Sequence, residues 1–284
     1  MKPAAFTYEA PQDLAEALLI LDSNEDARVL AGGQTLVPMM AFRVARPPVL
    51  VDINRIAELD FCEIRDGSLC IGALTRHQHF HVPVVDGPLG SLLACVVKHI
   101  AHIPIRARGT FCGSIAHADP SSEWCLTAVT LDASLVLLSS KGERVVKASE
   151  FFEGFLATAI EPGEMIREVR IPLLQPDTKF GFYEFSRRAG DYALAVCLFT
   201  ARVQDGRIVS ANIGLGGVEG APRRIAEAEE ILIGEEVSLA NIQLAASKAS
   251  EVIDPLEDAQ ADAPLRIDLA KAVVERAMRQ AFEL

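Results

Sequence analysis

The sequence contains no apolar segment of about 18 residues without charged side chains, so no membrane span is expected. Its first residues, Met1-Lys-Pro-Ala-Ala-Phe-Thr-Tyr8, lack the apolar core of a secretory signal, and a cytoplasmic location is therefore predicted. Basic residues are scarce: 27 lysines and arginines stand against 39 aspartates and glutamates, a net charge of -12. A nucleic-acid partner would require a basic face, so no such partner is expected.

The six cysteines, at positions 62, 70, 95, 112, 125 and 197, include no CxxC pair. This spacing suits neither a zinc ribbon nor an iron–sulfur cluster, and reduced thiols are expected. His77, His79 and His81 recur at every second position, which would place them on one face of a strand or pair them at i,i+4 on a helix. No carboxylate or cysteine lies at a spacing that would complete a metal site, so no metal is predicted in this chain.

Half of the residues are hydrophobic and 23% are charged, which is typical of a folded chain. With 284 residues the chain is long enough for two or three compact units with buried cores. Residues 1–56 are predicted to form the first unit, a small βαβ-like motif. Its expected elements are a helix at 11–23 and strands at 28–31 and 49–53.

Residues 57–175 are predicted to form a middle unit and residues 176–284 a C-terminal unit, joined by a polar, proline-bearing stretch. The middle unit is expected to contain hairpins at 63–72 and 134–146, helices at 89–102 and from 121, a loop at 109–119, and a strand at 164–171. The C-terminal unit is expected to combine antiparallel strands at 192–203 and 208–216 with helices at 222–233, 238–253 and 265–282. The predicted fold class is therefore α+β.

Two glycine-containing runs stand out, Ala31-Gly-Gly-Gln-Thr35 after an expected strand and Gly109-Thr-Phe-Cys-Gly-Ser114 further along the chain. Glycine allows positive φ and lets the backbone approach a ligand, so successive amide groups can converge on an anion. Two such runs from separate units would be able to hold a diphosphate between them. Each run alone is more typical of a tight turn, and neither matches the Rossmann or Walker A pattern.

The second run continues into Ala116-His-Ala-Asp-Pro120. Together and at this separation, the two runs resemble the FAD-binding medium subunit of the molybdenum hydroxylases, the family of carbon monoxide, xanthine, nicotine and caffeine dehydrogenases. The resemblance covers essentially the whole chain, including residues 71–75, 166–172 and 186–193 and the C-terminal helix. It implies a two-part FAD-binding domain, PCMH-type and similar to vanillyl-alcohol oxidase, followed by a C-terminal domain of the CO dehydrogenase flavoprotein type.

The resemblance also implies roles for individual residues. Residues 29–36 would surround the FAD diphosphate and residues 110–114 would form the opposing turn. Asp119 and Glu123 would lie toward the ribityl, ribose or adenine end. Tyr192 would lie over the isoalloxazine face as the residue with a catalytic role, the alternative being core packing at the start of a strand. The full set of implied FAD-binding residues is Val29, Leu30, Ala31, Gly32, Gly33, Gln34, Thr35, Leu36, Ile100, Thr110, Cys112, Gly113, Ser114, Ala118, Asp119, Glu123, Ile166 and Tyr192.

Three positions depart from the family pattern. Cys112 occupies a position where many members have glycine, and cysteine cannot adopt every glycine conformation. The xanthine dehydrogenase branch has a lysine near residues 182–184 that this chain lacks. Leu265 stands where many members have tyrosine, which affects only a packing detail.

The function implied by the resemblance is electron transfer through FAD bound in this chain. The implied partners are a small subunit with [2Fe-2S] clusters and a molybdopterin-containing large subunit, assembled as a dimer of heterotrimers, with electrons leaving to an external acceptor. No Ser-His-Asp, paired-carboxylate or Cys-His arrangement is legible in the sequence, and an electron-transfer subunit needs none because its cofactor carries the chemistry. Two alternatives stay open: a stand-alone flavin oxidase of the same superfamily, and an interaction module without a cofactor.

Overall fold

The computed structural model describes residues 2–284, and its strands form four sheets in that range. The first unit consists of β1 Thr7–Glu9, α1 Leu14–Asp22, β2 Arg28–Leu30, α2 Leu36–Ala41 and β3 Val49–Asp52. Its three strands are parallel, with β3 between β1 and β2. The predicted βαβ-like motif is thus confirmed, since parallel neighbours need a crossover such as the one through α2.

The α1 helix forms where the sequence combines a cap with helical spacing of apolar residues. The Asp13 side chain accepts a hydrogen bond from the amide of Glu16 at 2.9 Å and so caps the helix. Ala17, Leu18 and Leu21 then fall on one face and are buried against the sheet.

The middle unit is built around a five-stranded antiparallel sheet. Besides two short 3-10 helices at Ala57–Leu59 and His77–His81, its elements are β4 Cys62–Arg65, β5 Ser68–Gly72, α3 Pro88–Val96, α4 Ile103–Arg108, α5 Phe111–His117, α6 Glu123–Thr130, β6 Ser134–Ser139, β7 Gly142–Lys147, α7 Ala148–Phe151, β8 Phe152–Gly154, β9 Ala157–Thr158 and β10 Met165–Pro172. The strand order is β4-β5-β10-β6-β7, and β8 pairs with β9 separately. Both predicted hairpins are confirmed as β4–β5 and β6–β7.

Three predictions for the middle unit were wrong. The helix expected at 89–102 ends at Val96, and the chain then turns through Ala101, which has a φ of 40°. The stretch 109–119, predicted as a loop, is mostly the α5 helix. His77–His81 is a 3-10 helix, neither a strand nor an α-helix, and it buries His77 while leaving His79 exposed.

The C-terminal unit pairs an antiparallel sheet with three helices, as predicted. Its elements are β11 Lys179–Phe185, β12 Ala195–Gln204, β13 Arg207–Gly216, β14 Arg223–Arg224, α8 Ala226–Leu232, α9 Leu239–Glu251 and α10 Ala263–Phe282. The strand order is β11-β12-β13-β14. The strand expected from residue 192 begins at Ala195, which leaves Tyr192 in the preceding loop.

The β12 strand joins two hydrophobic cores because its side chains alternate between the faces of the sheet. Val196 and Leu198 belong to the core shared with the first two units, whereas Cys197 and Phe199 belong to the core under α10. This sharing holds the C-terminal sheet against α6, the second helix after Gly109. None of the helices within residues 2–284 has the length and apolar character needed to cross a bilayer.

Candidate FAD site

The two glycine turns, far apart in sequence, lie against each other. A Cβ atom placed on Gly32 would lie 2.5 Å from the carbonyl oxygen of Arg108 and 2.7 Å from Cα of Gly109. No side chain fits at these distances, so only glycine at position 32 lets the first turn approach the second this closely.

The first turn carries the chain from β2 to α2. Gly33 has a φ of 71°, a conformation that glycine adopts without strain. For the backbone amides of Gly32, Gly33, Gln34 and Thr35, no protein acceptor is found within residues 2–284. The Gln34 side-chain amide donates to the carbonyl oxygen of Gly32 at 3.3 Å. Consecutive unpaired N–H groups at such a bend form a concavity suited to an anion.

The second turn lies between α4 and α5. Gly109 is packed against His77, since a Cβ at Gly109 would lie 2.6 Å from His77 Nε2. Thr110 caps α5, because its Oγ1 accepts a hydrogen bond from the amide of Gly113 at 3.0 Å. A threonine three residues ahead of this glycine was the local signal that could have revealed the helix. Gly113 is exposed and Ser114 half-buried at the start of α5.

Cys112 points away from the turn. Its side chain is buried, and Sγ donates weak hydrogen bonds to the carbonyl oxygens of Ile71 at 3.5 Å and Gly72 at 3.6 Å. The residue lies within α5, where φ is negative, so glycine is not required there. Desolvation raises the pKa of the Cys112 thiol, which therefore stays protonated. Cysteine at this position thus keeps the turn intact.

A cleft of about 360 Å³ opens beside the first turn. Its polar wall combines two predicted FAD-binding residues of that turn, Gln34 and Thr35, with Tyr192 and His117. Tyr192 is 61% exposed, which rules out its alternative role in core packing. The remaining wall is apolar and was not predicted from the sequence; it consists of Pro38, Met39, Phe42, Val44 and Leu156.

Several titratable groups lie near Tyr192. Desolvation, followed by the negative charges of Asp119 and Glu123, raises the pKa of the Tyr192 phenol. Desolvation and the charge of Glu184 raise the pKa of Glu123 to about 8. Desolvation likewise raises the pKa of Asp119, although a hydrogen bond from the Ser121 amide at 2.9 Å favours its ionised form. These carboxyls hold protons more tightly than exposed ones would, as expected for groups beside a partly dry cleft.

Glu184, on β11, was not singled out from the sequence. Its side chain is 5% exposed, and Oε2 has no hydrogen-bond partner within residues 2–284. The nearest cationic candidate is His99, whose Nδ1 lies 3.7 Å from that oxygen. Desolvation raises the pKa of Glu184 to about 7 and lowers that of His99, so the two groups form no strong ion pair at neutral pH.

The other predicted FAD-binding residues are distributed around these turns. Val29 and Leu30 are half-buried in β2, and Ala118 ends α5 in a left-handed conformation. Ile100 and Ile166 are buried in the core and do not line the cleft. Their contact with a cofactor stays a prediction.

Within residues 2–284, His77 and His81 of the histidine run take part in packing and hydrogen bonding. His77 is buried and accepts a hydrogen bond from Trp124 Nε1 at 3.0 Å. Desolvation lowers the pKa of His77 to about 4, so the ring is neutral. His81 Nε2 accepts from Arg106 Nε at 3.1 Å. No group of three or more potential metal ligands occurs within residues 2–284.

Comparison with known protein families identifies the family to which this chain belongs. Residues 4–174 match the family described as the FAD binding domain in molybdopterin dehydrogenase. Residues 180–281 match the CO dehydrogenase flavoprotein C-terminal domain. The chain belongs to this flavoprotein family. The predicted resemblance to the medium subunit of the molybdenum hydroxylases is thereby confirmed.

Individual flavoproteins of the family are similar over their full length. The chain is 38% identical to the 6-hydroxypseudooxynicotine dehydrogenase complex subunit alpha of Paenarthrobacter nicotinovorans, covering 99% of this chain and 96% of that one. It is 36% identical to the caffeine dehydrogenase subunit beta of Pseudomonas sp. strain CBB1, over 100% and 97%. The structure matches a carbon monoxide dehydrogenase from Hydrogenophaga pseudoflava with a TM-score of 0.95 at 35% identity, covering 100% and 99%.

The residues of this flavoprotein fit FAD. A diphosphate is anionic, and the first turn offers four amide groups without protein acceptors. The surface beside that turn combines hydroxyl and amide side chains with apolar ones, as a flavin with a polar tail and an aromatic ring system requires. No cluster of basic side chains is needed, which agrees with the acidic composition.

Proposed function

We propose that this chain is the electron-transfer subunit of a molybdenum hydroxylase complex, with FAD bound between its two glycine turns. The observation that supports this most directly is the contact of Gly32 with the backbone of Arg108 and Gly109, because it brings the two predicted halves of a diphosphate clamp together. Bound FAD supplies the redox chemistry, accepting electrons from a one-electron donor and releasing them to an acceptor.

The chain's own part is to bind and orient. The amides of Gly32, Gly33, Gln34 and Thr35 would donate to the diphosphate from one side. Thr110, Gly113 and Ser114 would face it from the other side, and Cys112 would contribute only through its backbone.

Tyr192 is the proposed residue beside the isoalloxazine. It shares the cleft with Gln34 and Thr35, so a flavin ring held there would extend from the diphosphate turn toward the phenol. Asp119 and Glu123 would lie toward the ribityl, ribose or adenine portion, as the family resemblance implies, and both are close enough to Tyr192 to raise its pKa. His117 lines the same cleft as Tyr192 and is therefore a further proposed FAD-binding residue.

The proposed partners are an iron–sulfur subunit that delivers electrons and a molybdopterin subunit that oxidises the organic substrate, in a dimer of heterotrimers. Relatives named as complex subunits or medium chains support a multi-subunit assembly. A reducing, cytoplasmic setting is proposed because the six cysteines are all free. The organic substrate would be selected in another polypeptide. The two glycine turns of this chain do not determine the terminal electron acceptor.

Two experiments test this function. Titrating the purified apo-chain with FAD should quench flavin fluorescence with saturation at one FAD per chain; absence of binding would favour the cofactor-free module. Purification of the native complex should yield three subunits with the absorption bands of flavin and [2Fe-2S] clusters. A chain that purifies alone and oxidises a small substrate without partners would contradict the proposal and favour a stand-alone oxidase.

A further inference from the structure

A polar bridge lies behind the contact between the two glycine turns. Its centre is Arg76, which follows β5 and precedes the 3-10 helix. The Arg76 guanidinium donates through Nη1 to the carbonyl oxygen of Arg108 and through Nη2 to Oδ1 of Asn54. The Arg108 oxygen is the same atom that a Cβ on Gly32 would strike. Arg76 therefore holds the part of the second turn that touches the first.

Asn54 continues the bridge to the first turn. Its Nδ2 donates to the carbonyl oxygen of Ala31, the residue before Gly32, at 2.8 Å. The Asn54 side chain is itself fixed by Asp52, whose Oδ1 accepts hydrogen bonds from Nδ2 of Asn54 at 2.5 Å and from its backbone N–H at 2.9 Å. Asp52 Oδ2 in turn accepts from the Tyr8 hydroxyl at 2.5 Å. The first turn is thus tied through Asn54 and Asp52 to the end of the central strand β3, and through Tyr8 to β1.

The backbone around Arg76 is tied to the second turn as well. Arg76 forms an antiparallel bridge with Thr110. The His77 amide donates to the carbonyl oxygen of Gly109 at 3.0 Å, and the Phe111 amide donates to that of Thr75, also at 3.0 Å. Arg76 thus moves with the second turn, while its guanidinium reaches across to the residue that holds the first.

We propose that Arg76, acting through Asn54, is a positioning residue that sets the separation of the two glycine turns and so the affinity for the FAD diphosphate. The inference rests on the proposed function. Arginine suits the task because its planar guanidinium can donate to two acceptors in fixed directions, which the single ammonium of lysine cannot reproduce. Desolvation and the neighbouring charge of Arg108 lower the pKa of the Arg76 guanidinium, so its charged form is less favourable than that of a surface arginine. The two hydrogen bonds of Arg76 offset this cost.

The test compares ligands with and without phosphates. Arg76→Lys and Asn54→Ala should each weaken FAD binding about 10- to 100-fold, the effect of losing one well-formed contact to the diphosphate. Riboflavin, which has the ring and ribityl chain but no phosphate, should bind each variant as it binds the original chain. Because both residues act through one bridge, the double variant should bind FAD only slightly more weakly than the weaker single variant.

Arg202→Ala is the matched control. Arg202 is also half-buried and bonded to a side chain, Asp177, at 2.8 Å, but it lies on β12 away from both turns. Its variant should bind FAD normally. Thermal unfolding of every apo-variant reports folding separately, and Asn54→Ala keeps the test available if the Arg76 variant folds poorly.

The outcomes separate the inference from the function on which it rests. Failure of the original chain to bind FAD would overturn the proposed function and the inference with it. Normal FAD binding in the original chain and in both variants would overturn only the inference. A loss of riboflavin affinity as large as the loss of FAD affinity would show that Arg76 supports the fold in general, and would also overturn it.

Discussion

The contact at Gly32 makes a sharp steric prediction for Gly32→Ala. The new Cβ would lie 2.5 Å from the Arg108 oxygen, whereas ordinary van der Waals contact begins at 3.4 Å. The obstruction is backbone on both sides, so no flexible side chain can yield. The two turns must separate by about 1 Å, which carries a hydrogen bond of about 2.9 Å beyond useful range.

The expected loss follows from that displacement. A hydrogen bond to a charged group contributes about 1.5–3 kcal/mol, so losing one bond to the diphosphate should weaken FAD binding roughly 10- to 100-fold. Equilibrium dialysis or fluorescence quenching with the apo-protein measures the dissociation constant. Gly220→Ala is the control, because a Cβ there would lie 3.8 Å from the Phe155 amide nitrogen, an ordinary contact. Unchanged FAD affinity in Gly32→Ala would refute a clamp formed by these turns.

The same geometry makes Gly32, rather than Gly33, the position at which a substitution tests the diphosphate clamp. From the sequence, Gly33→Val is expected to fill the diphosphate space. In the structure a Cβ on Gly33 would meet only the side chains of Leu30 and Val37, each at 3.2 Å. Substitution at Gly33 therefore strains a positive-φ backbone rather than occupying the gap, so the steric test belongs at Gly32.

Two further predictions concern stability. In the native state Glu184 retains its proton to about pH 7 and Glu123 to about pH 8. The unfolded chain releases both protons near pH 4.5, and the free energy of unfolding should therefore fall as the pH rises from about 4.5 to 8. Glu184→Gln should reduce that slope and stabilise the chain above pH 8 by up to about 3 kcal/mol in urea unfolding, and an unaltered slope would contradict the assignment. Cys112→Gly should keep FAD affinity but lower the free energy of unfolding by about 1–2 kcal/mol, since it places glycine inside α5; loss of flavin would reveal a role for the thiol.

The sequence predicted those parts of the fold that local patterns determine. The hairpin with the Asp66-Gly67 turn, the hairpin whose turn directly precedes Gly142, and the capped α1 helix carry their signals within a few residues. The α5 helix has no such clear signal, because Gly109 and Gly113 lie around its first turn and favour a loop. Thr110 suits a ligand-binding turn as well as a helix cap. Strand β11 was missed because it follows a polar, proline-bearing stretch and shows no clean alternation.

Within the candidate site, local patterns predicted the two glycine turns and the family resemblance implied Tyr192, whereas the groups that hold the turns were not predicted. Gly32 and Gly33 stand out because glycine pairs after a strand have a known use. Arg76 and Asn54 have no local signature, since their importance arises from contacts between residues far apart in sequence. Glu184 is similarly unremarkable in sequence, and only its burial without a hydrogen-bond partner on Oε2 sets it apart.

The most direct test is a crystal structure of the chain with FAD bound. We expect the diphosphate to lie between residues 32–35 and 110–114, within hydrogen-bond distance of amides from both turns, with the isoalloxazine beside Tyr192. Density for the diphosphate elsewhere on the chain, or contacts from one turn only, would contradict it.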